Sequence, residues 1–111
     1  MRTMKTLGGT LGRRLRKKLG RKRYEEVLSL ALDKVSSFTV ERDPLIVSGI
    51  VEGTFHYSAY IDETGEYCCA CQGQTTHKTI CKHILAIVLH GYLNNRLSEY
   101  DVISLIGGEL K

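Results

Sequence analysis

The sequence has no long apolar run and no apolar segment near its N-terminus. Its longest uninterrupted apolar stretch runs over six residues, from Ile84 to Leu89, far short of the roughly 20 residues that cross a bilayer. Because an apolar h-region is missing, we expect no secretory signal and a reducing compartment, the cytoplasm or, in a eukaryote, the nucleus. The Arg-rich start also resembles a transit peptide in composition, and that alternative stays open.

Negative charge is absent from the first 23 residues, which carry ten Lys and Arg and no Asp or Glu. Residues 24–111 carry six Lys and Arg against twelve Asp and Glu, a net charge of −6 that brings the whole chain to +4. Such a split is typical of a polyanion-binding segment on an acidic body. We therefore expect a basic arm over residues 1–23 and a single domain over residues 24–111.

Within this arm, Leu11, Leu15 and Leu19 recur every four residues, which predicts a basic helix with a narrow apolar stripe, interrupted by Gly20. Residues 1–10 read as flexible. Each Lys or Arg that neutralises a phosphate releases counterions, so the arm is a candidate for binding DNA. The alternative is a solvated basic segment with no partner. The candidate nucleic-acid-binding residues are Arg13, Arg14, Arg16, Lys17, Lys18, Arg21, Lys22 and Arg23.

The domain after the arm reads as α+β, with an N-terminal helix, a small antiparallel sheet and a short C-terminal helix. Apolar residues from Tyr24 recur at helical spacing to a helix end near Lys34 or Val35, and residues 38–69 read as strands joined by turns at Asp43-Pro44 and 62–65. One strand alternates strictly, which puts the polar His56 on a solvated face. Its apolar face comprises Phe55, Tyr57, Ala59 and Ile61.

All four cysteines lie within fourteen residues. Cys69-x-Cys71, a nine-residue loop and Cys81-x-His83 supply three thiolates and one imidazole, a closed set of the kind that a tetrahedral structural Zn²⁺ prefers. Residues i and i+2 of a strand share a face, so Cys69 and Cys71 point together at the end of the last strand. The remaining two ligands open a helix, and both arms of the site are therefore rigid.

Two other ligand choices are weighed against this one. Cys68-x-x-Cys71 would form the commoner two-residue knuckle, but the strand alternation places Cys68 on the opposite face. His77 could replace His83, although it sits in a polar, Gly-containing loop. His90 lies two turns beyond His83 on the same helix, and we expect it to be structural.

The motif resembles the SWIM zinc finger, most specifically in the run Cys81-Lys82-His83-Ile84-Leu85-Ala86. The resemblance covers about residues 38–93 and implies a ββα unit that holds one structural zinc through Cys69, Cys71, Cys81 and His83. SWIM proteins are associated with DNA binding and protein contacts in transposase-related, ubiquitin-ligase and recombination-accessory proteins. In the last group they pair with paralogues of the strand-exchange recombinase, and small archaeal members are similar to this chain in size. The doubled Cys68-Cys69, and Gln72 where the family has proline, depart from the pattern.

The residues predict a non-enzymatic module that contacts DNA, a protein partner or both. Four protein ligands leave Zn²⁺ no open position for water or substrate, no paired carboxylates accompany the site, and no phosphate-binding glycine loop is present. The alternative is a thiol-based redox or metal-sensing protein that uses the cysteine cluster. A reactive thiolate needs a cationic or helix-N-terminal setting, and only Cys81 has one.

The C-terminal part predicts an interaction surface. Asn94-Asn95-Arg96 should end the preceding helix, and Ser98 to Asp101 resembles a capping box that starts another. Residues 84–93 and 102–106 carry more Leu, Ile and Val than we expect one sheet face and one helix to cover. We therefore expect a homo-oligomer or a protein partner, a recombinase paralogue being one candidate, with one of these two helices at the contact.

Overall fold

The computed structural model of the chain describes residues 9–53, 55–69 and 82–107. This part is α+β, with four helices and one four-stranded antiparallel sheet. The helices are α1 (Gly9–Leu19), α2 (Arg21–Asp33), α3 (Lys82–Leu93) and α4 (Glu99–Ile106). The strands are β1 (Val35–Glu41), β2 (Ile46–Glu52), β3 (His56–Asp62) and β4 (Tyr67–Cys69), and each strand pairs with the next one along the chain.

The break between α1 and α2 is a single residue, Gly20, as the sequence predicts. Its φ of 85° lies in the left-handed region that favours glycine. The Gly20 N–H donates to the Arg16 carbonyl, and the Tyr24 N–H donates to the Gly20 carbonyl, both at 2.9 Å. Hydrogen bonding therefore continues across the bend, and α1 joins α2 with no loop between them.

The first two helices bury apolar positions that their spacing predicts, apart from Leu11 of the α1 stripe, whose side chain lies outside those described. Leu15 of α1 is 1% exposed, and Leu19 packs against the core as a partly buried side chain. Tyr24, Val27 and Ala31 form the buried face of α2. The face that α1 turns toward the protein is therefore an integral part of the core.

The sheet buries one face and exposes the other. Val47 and Val51 of β2 and Ile61 of β3 are fully buried on the inner face, whereas Ser58 and Tyr60 of β3 are exposed on the outer face. The helices therefore pack on the inner face of the sheet.

At the β3–β4 turn the Asp62 carboxylate accepts hydrogen bonds from nearby donors. The hydrogen bond from the Thr64 hydroxyl is the main cause that lowers the pKa of Asp62.

Helix α3 is the centre of the core and contacts α2, α4 and all four strands. Every residue from Ile84 to Leu89 is at most 3% exposed. The expectation that this helix leaves an apolar surface uncovered is therefore wrong, because α2, the sheet and α4 enclose it. Its fit is close: a Cβ on Gly91 would lie 2.7 Å from Leu97 Cδ1 and from Phe38 Cζ.

Helix α4 begins with the capping box that the sequence predicts. The Ser98 hydroxyl accepts from the Asp101 N–H, and the Asp101 carboxylate accepts from the Ser98 N–H. The same carboxylate accepts two hydrogen bonds from the Arg42 guanidinium, at 3.0 and 3.3 Å. One buried aspartate therefore both caps α4 and ties it to the β1–β2 turn.

One predicted core position is wrong. Phe55 was expected on the apolar face of β3, but β3 begins at His56 and the Phe55 side chain is 68% exposed. The other three members of that face, Tyr57, Ala59 and Ile61, are partly or fully buried.

Of the helices in the described ranges, none has the length and apolar character needed to cross a membrane.

Candidate nucleic-acid interface and metal-ligand cluster

The eight basic residues predicted to bind DNA lie together on α1 and the first turn of α2, and all eight are exposed. We call them the basic surface: Arg13, Arg14, Arg16, Lys17, Lys18, Arg21, Lys22 and Arg23. It forms because Gly12 and Leu15 are buried against the protein, whereas the five basic positions of α1 between Arg13 and Lys18 face solvent. Eight positive charges within eleven residues make this the most concentrated charge in the sequence.

Arg16 and Arg21 of the basic surface make contacts within the protein. The Arg16 guanidinium carbon lies 5.5 Å from the centroid of the Tyr24 ring, a cation–π distance. Arg21 Nε lies 3.5 Å from Glu25 Oε1 in an exposed i, i+4 pair. The first contact holds Arg16 against the hinge between the helices, and the second brings a carboxylate to the edge of the basic surface.

The basic surface is attached to the body of the protein. Leu15 anchors α1 in the core, and the boundary expected between residues 23 and 24 falls inside α2. Of residues 1–10, which the sequence predicts to be flexible, residues 1–8 lie outside the described residues, whereas Gly9 and Thr10 are part of α1. The eight basic side chains are consequently presented on two helices that pack on the core and are hydrogen-bonded to each other at Gly20.

Two of the four predicted metal ligands fall within the described residues. Cys69 is the last residue of β4, and its backbone pairs with Ala59 on β3. His83 lies in the first turn of α3, is 7% exposed, and stacks on the Tyr57 ring with 4.4 Å between ring centroids. Cys71 and Cys81, and the alternative ligand His77, lie outside the described residues.

The two cysteines at the end of β4 occupy opposite registers. Cys68 is exposed and pairs with Tyr60, whose side chain is also exposed. Cys69 pairs with Ala59, which is 5% exposed on the inner face. Since His83 is buried on that inner face, the register of Cys69, and not that of Cys68, is on the side of the histidine.

Within the described ranges, no three His, Cys, Asp or Glu side chains are close enough to hold a metal ion together. Helix α3 nevertheless contacts β4, and His83 at its start stacks on Tyr57, two residues before Ala59, the β3 partner of Cys69. A strand end and a helix start on one face of the sheet are compatible with a site closed by residues between them.

The remaining two described histidines have other environments. His56 is 73% exposed, and its Nε2 lies 3.8 Å from Glu52 Oε1, which fits the predicted solvated position. His90 Nδ1 donates to the Ala31 carbonyl at 2.8 Å, and its ring meets Phe38 edge-on. His90 thus joins α3 to α2 and β1, in agreement with the structural role expected for it.

Sequence reasoning missed two contacts beside His83. Strand alternation places Tyr57 on the inner face, but no pattern signals that it stacks on a histidine 26 positions later. Lys82 Nζ, on the neighbouring residue, lies 3.5 Å from Glu26 Oε2 of α2. Both partners are distant in sequence, so the contacts emerge only from the packing of α3.

Comparison of the chain with protein-family models, with curated proteins and with solved structures finds no match. The arrangement of the basic surface and of the ligand residues is therefore the basis on which a function is proposed.

Proposed function

We propose that this protein is a zinc-stabilised module that binds DNA through its basic surface. The observation that carries the proposal is the exposure of all eight basic side chains on two helices joined by one residue. Phosphate contacts from Lys and Arg supply most of the sequence-independent affinity for DNA. The rest of the chain is acidic, which favours contact with DNA through this one surface.

The zinc would be held by Cys69, Cys71, Cys81 and His83. The backbone pairing of Cys69 with the buried Ala59 and the burial of His83 support this choice, and the exposed Cys68 does not fit it. Bound zinc would supply structural cross-linking between the end of β4 and the start of α3. Stacking on the Tyr57 ring would hold the His83 side chain in position.

The resemblance to SWIM fingers suggests a biological setting. We place the module as an accessory to DNA recombination or repair, where a protein partner, such as a recombinase paralogue, would work on the same DNA. This setting rests on the cysteine–histidine motif alone, and DNA binding by the basic surface does not depend on it.

Binding of the full chain to fluorescent duplex DNA, followed by anisotropy over a range of salt concentrations, tests the proposal. Deleting residues 1–23 is a poor test, because it removes the buried Leu15 and the first turn of α2. Replacing Arg13, Arg14, Lys17 and Lys18 with Gln removes four exposed charges and keeps the helix. The variant should melt like the parent, bind DNA much more weakly and show a flatter salt dependence. Unchanged affinity would refute DNA binding through this surface.

A protein contact is a second candidate, favoured by α4. Tyr100 is 78% exposed and Ile103 is 40% exposed on this helix. If α4 mediates self-association, Ile103→Glu should give a folded monomer where the parent is a dimer, with a loss of about 1–3 kcal/mol of association. Sedimentation measures this. A parent that stays monomeric at high concentration, with no partner recovered from cells, would contradict it.

A further inference from the structure

The basic residues of α1 cover slightly more than half of the helix circumference. At about 100° per residue, Arg16 and Lys18 lie at opposite edges of an arc of about 200°, and Lys17 lies near its centre, opposite the buried side chain of Leu15. Arg13 and Arg14 fill the positions between centre and edges. A flat anionic surface or a single backbone strand could meet only a part of so wide an arc at one time.

From this arc we infer that α1 lies in the major groove of duplex DNA, an inference that rests on the proposed function. An α-helix with its side chains is about 10–12 Å across, and the major groove is about 12 Å wide with a phosphate backbone along each wall. In this orientation Lys17 and Arg13 face the groove floor, and Arg16 and Lys18 face the two walls.

The first turn of α2 extends the same contact. Beyond the hinge at Gly20, Arg21, Lys22 and Arg23 are exposed and carry no apolar residue between them. In the complex these three side chains contact the neighbouring phosphate backbone of the DNA. With the two wall residues and Arg14, they make about six phosphate contacts, which corresponds to a slope of log K against log salt of about −5.

A single strand is the less suitable ligand, because the basic surface offers no stacking platform. Residues 1–23 contain no aromatic side chain, and the neighbouring Tyr24 is only 6% exposed beneath Arg16. Proteins that bind single strands combine positive charge with exposed aromatic rings on which bases stack.

A membrane is also the less suitable ligand. Interfacial helices bury an apolar face among lipid chains. In α1, Leu15 is already buried in the protein and Leu19 packs against the core. The described side chains of α1 therefore leave charge, without an apolar stripe, for an external ligand.

The groove floor gives a specific chemical readout. Arg and Lys hydrogen-bond to O6 and N7 of guanine, which only the major groove presents. Replacing guanine with 7-deazaguanine removes the N7 acceptor and leaves base pairing and phosphates intact. Affinity of the full chain for a G-containing duplex of about two helical turns should fall about fivefold on this replacement, the scale of one lost base contact.

Two double variants, each of which removes two positive charges, separate contacts with the groove floor from contacts with the groove walls. Arg13→Gln with Lys17→Gln should abolish the difference between the guanine and 7-deazaguanine duplexes. Arg16→Gln with Lys18→Gln should keep that difference, weaken binding to both duplexes and flatten the salt slope by about two. Lys34→Gln, an exposed cation at the far end of α2, is the control and should change neither readout.

The outcomes distinguish this inference from the function on which it rests. Equal affinity for the duplex and for either of its single strands, or no effect of 7-deazaguanine, would overturn the groove contact and leave DNA binding standing. No DNA binding at all would refute both. Binding to phosphatidylserine vesicles in place of DNA would assign the basic surface to a membrane and also refute both.

Discussion

Helices α1 and α3 are nearly equal in length, eleven and twelve residues, and they differ in almost everything else. Helix α1 turns a narrow stripe inward and exposes five basic side chains, whereas α3 buries nine of its twelve residues. A core helix is covered by other elements on all sides, and α3 contacts every strand of the sheet as well as α2 and α4. A helix that uses only a narrow stripe for stability keeps the rest of its surface for a ligand, so substitutions in α1 and α3 should separate binding from folding.

The largest effect is expected at the first turn of α3. If His83 binds zinc, His83→Ala removes a ligand from a site worth on the order of 10 kcal/mol of folding free energy, and the protein should lose both metal and cooperative unfolding. Cys69→Ser should do the same. Metal analysis and thermal melting measure the two losses.

Cys68→Ser is the matched control for the metal site, since Cys68 is the adjacent thiol on the outer face. It should retain zinc and melt close to the parent. If Cys68→Ser loses zinc while Cys69→Ser keeps it, the assignment of the two cysteines is reversed.

The next effect sharpens the contrast between the two helices. Ile87 of α3 is fully buried above Gly49 of β2, where an added Cβ would lie 3.2 Å from Ile87 Cγ2. Ile87→Ala should therefore cost about 2–5 kcal/mol of unfolding free energy. Lys17→Ala on α1 should stay within about 0.5 kcal/mol. Urea denaturation measures both. Similar losses at the two positions would break the division between a structural and a ligand-binding helix.

Helix α4 tests whether polar contacts can hold a helix in place in the way that apolar packing holds α3. The Asp101 side chain is 12% exposed and joins Arg42 to the cap of α4, so Asp101→Asn should cost about 2 kcal/mol. Glu99→Gln, an exposed change in the same first turn, should cost much less. Denaturation at neutral pH compares them.

The same aspartate predicts a pH dependence. The hydrogen bond from Arg42 is the main cause that lowers the pKa of Asp101 in the folded protein. Its contribution is therefore fully present above the pKa of the unfolded chain and is lost as the pH falls through the lower folded-state pKa. The stability gap between the parent and Asp101→Asn should narrow in acid. A gap that is constant down to the acid transition would contradict this.

The smallest effect concerns the edge of the basic surface. Glu25→Gln removes a carboxylate that lies 3.5 Å from Arg21, so DNA affinity should rise about two- to threefold at low salt. Stability should change little, because exposed pairs contribute about 0–1 kcal/mol. Anisotropy titrations check the gain, and a fall in affinity would show that Glu25 orients Arg21 for binding.

The sequence predicts well those features that depend on local spacing. The stripe of α1, the buried face of α2, the break at Gly20 and the capping box of α4 all follow from residues within one or two turns. The register of Cys68 and Cys69 likewise follows from strand alternation. Such features are predictable because neighbours along the chain decide them.

Features that depend on distant partners could not be predicted. Helix α3 is covered by α2, the sheet and α4 together, and its own sequence does not show how many elements will pack around it. Its many apolar residues therefore led to the wrong prediction of an exposed surface. The Arg42–Asp101 contact joins residues 59 positions apart, and nothing in either local sequence marks it. The prediction for Phe55 fails for a smaller reason, because β3 begins at His56 and does not include the Phe55 that the alternation placed in it.

The late position of α3 in the chain has a consequence for biosynthesis. During translation, α2 and the meander β1–β4 leave the ribosome before the helix that covers them, so their apolar faces have no native partner until residues 82–93 have emerged. Domains generally fold as units, and exposed apolar surfaces make incomplete chains prone to aggregation. A ribosome stalled ahead of α3 should therefore carry a protease-sensitive chain, and protection should arise abruptly once α3 has emerged.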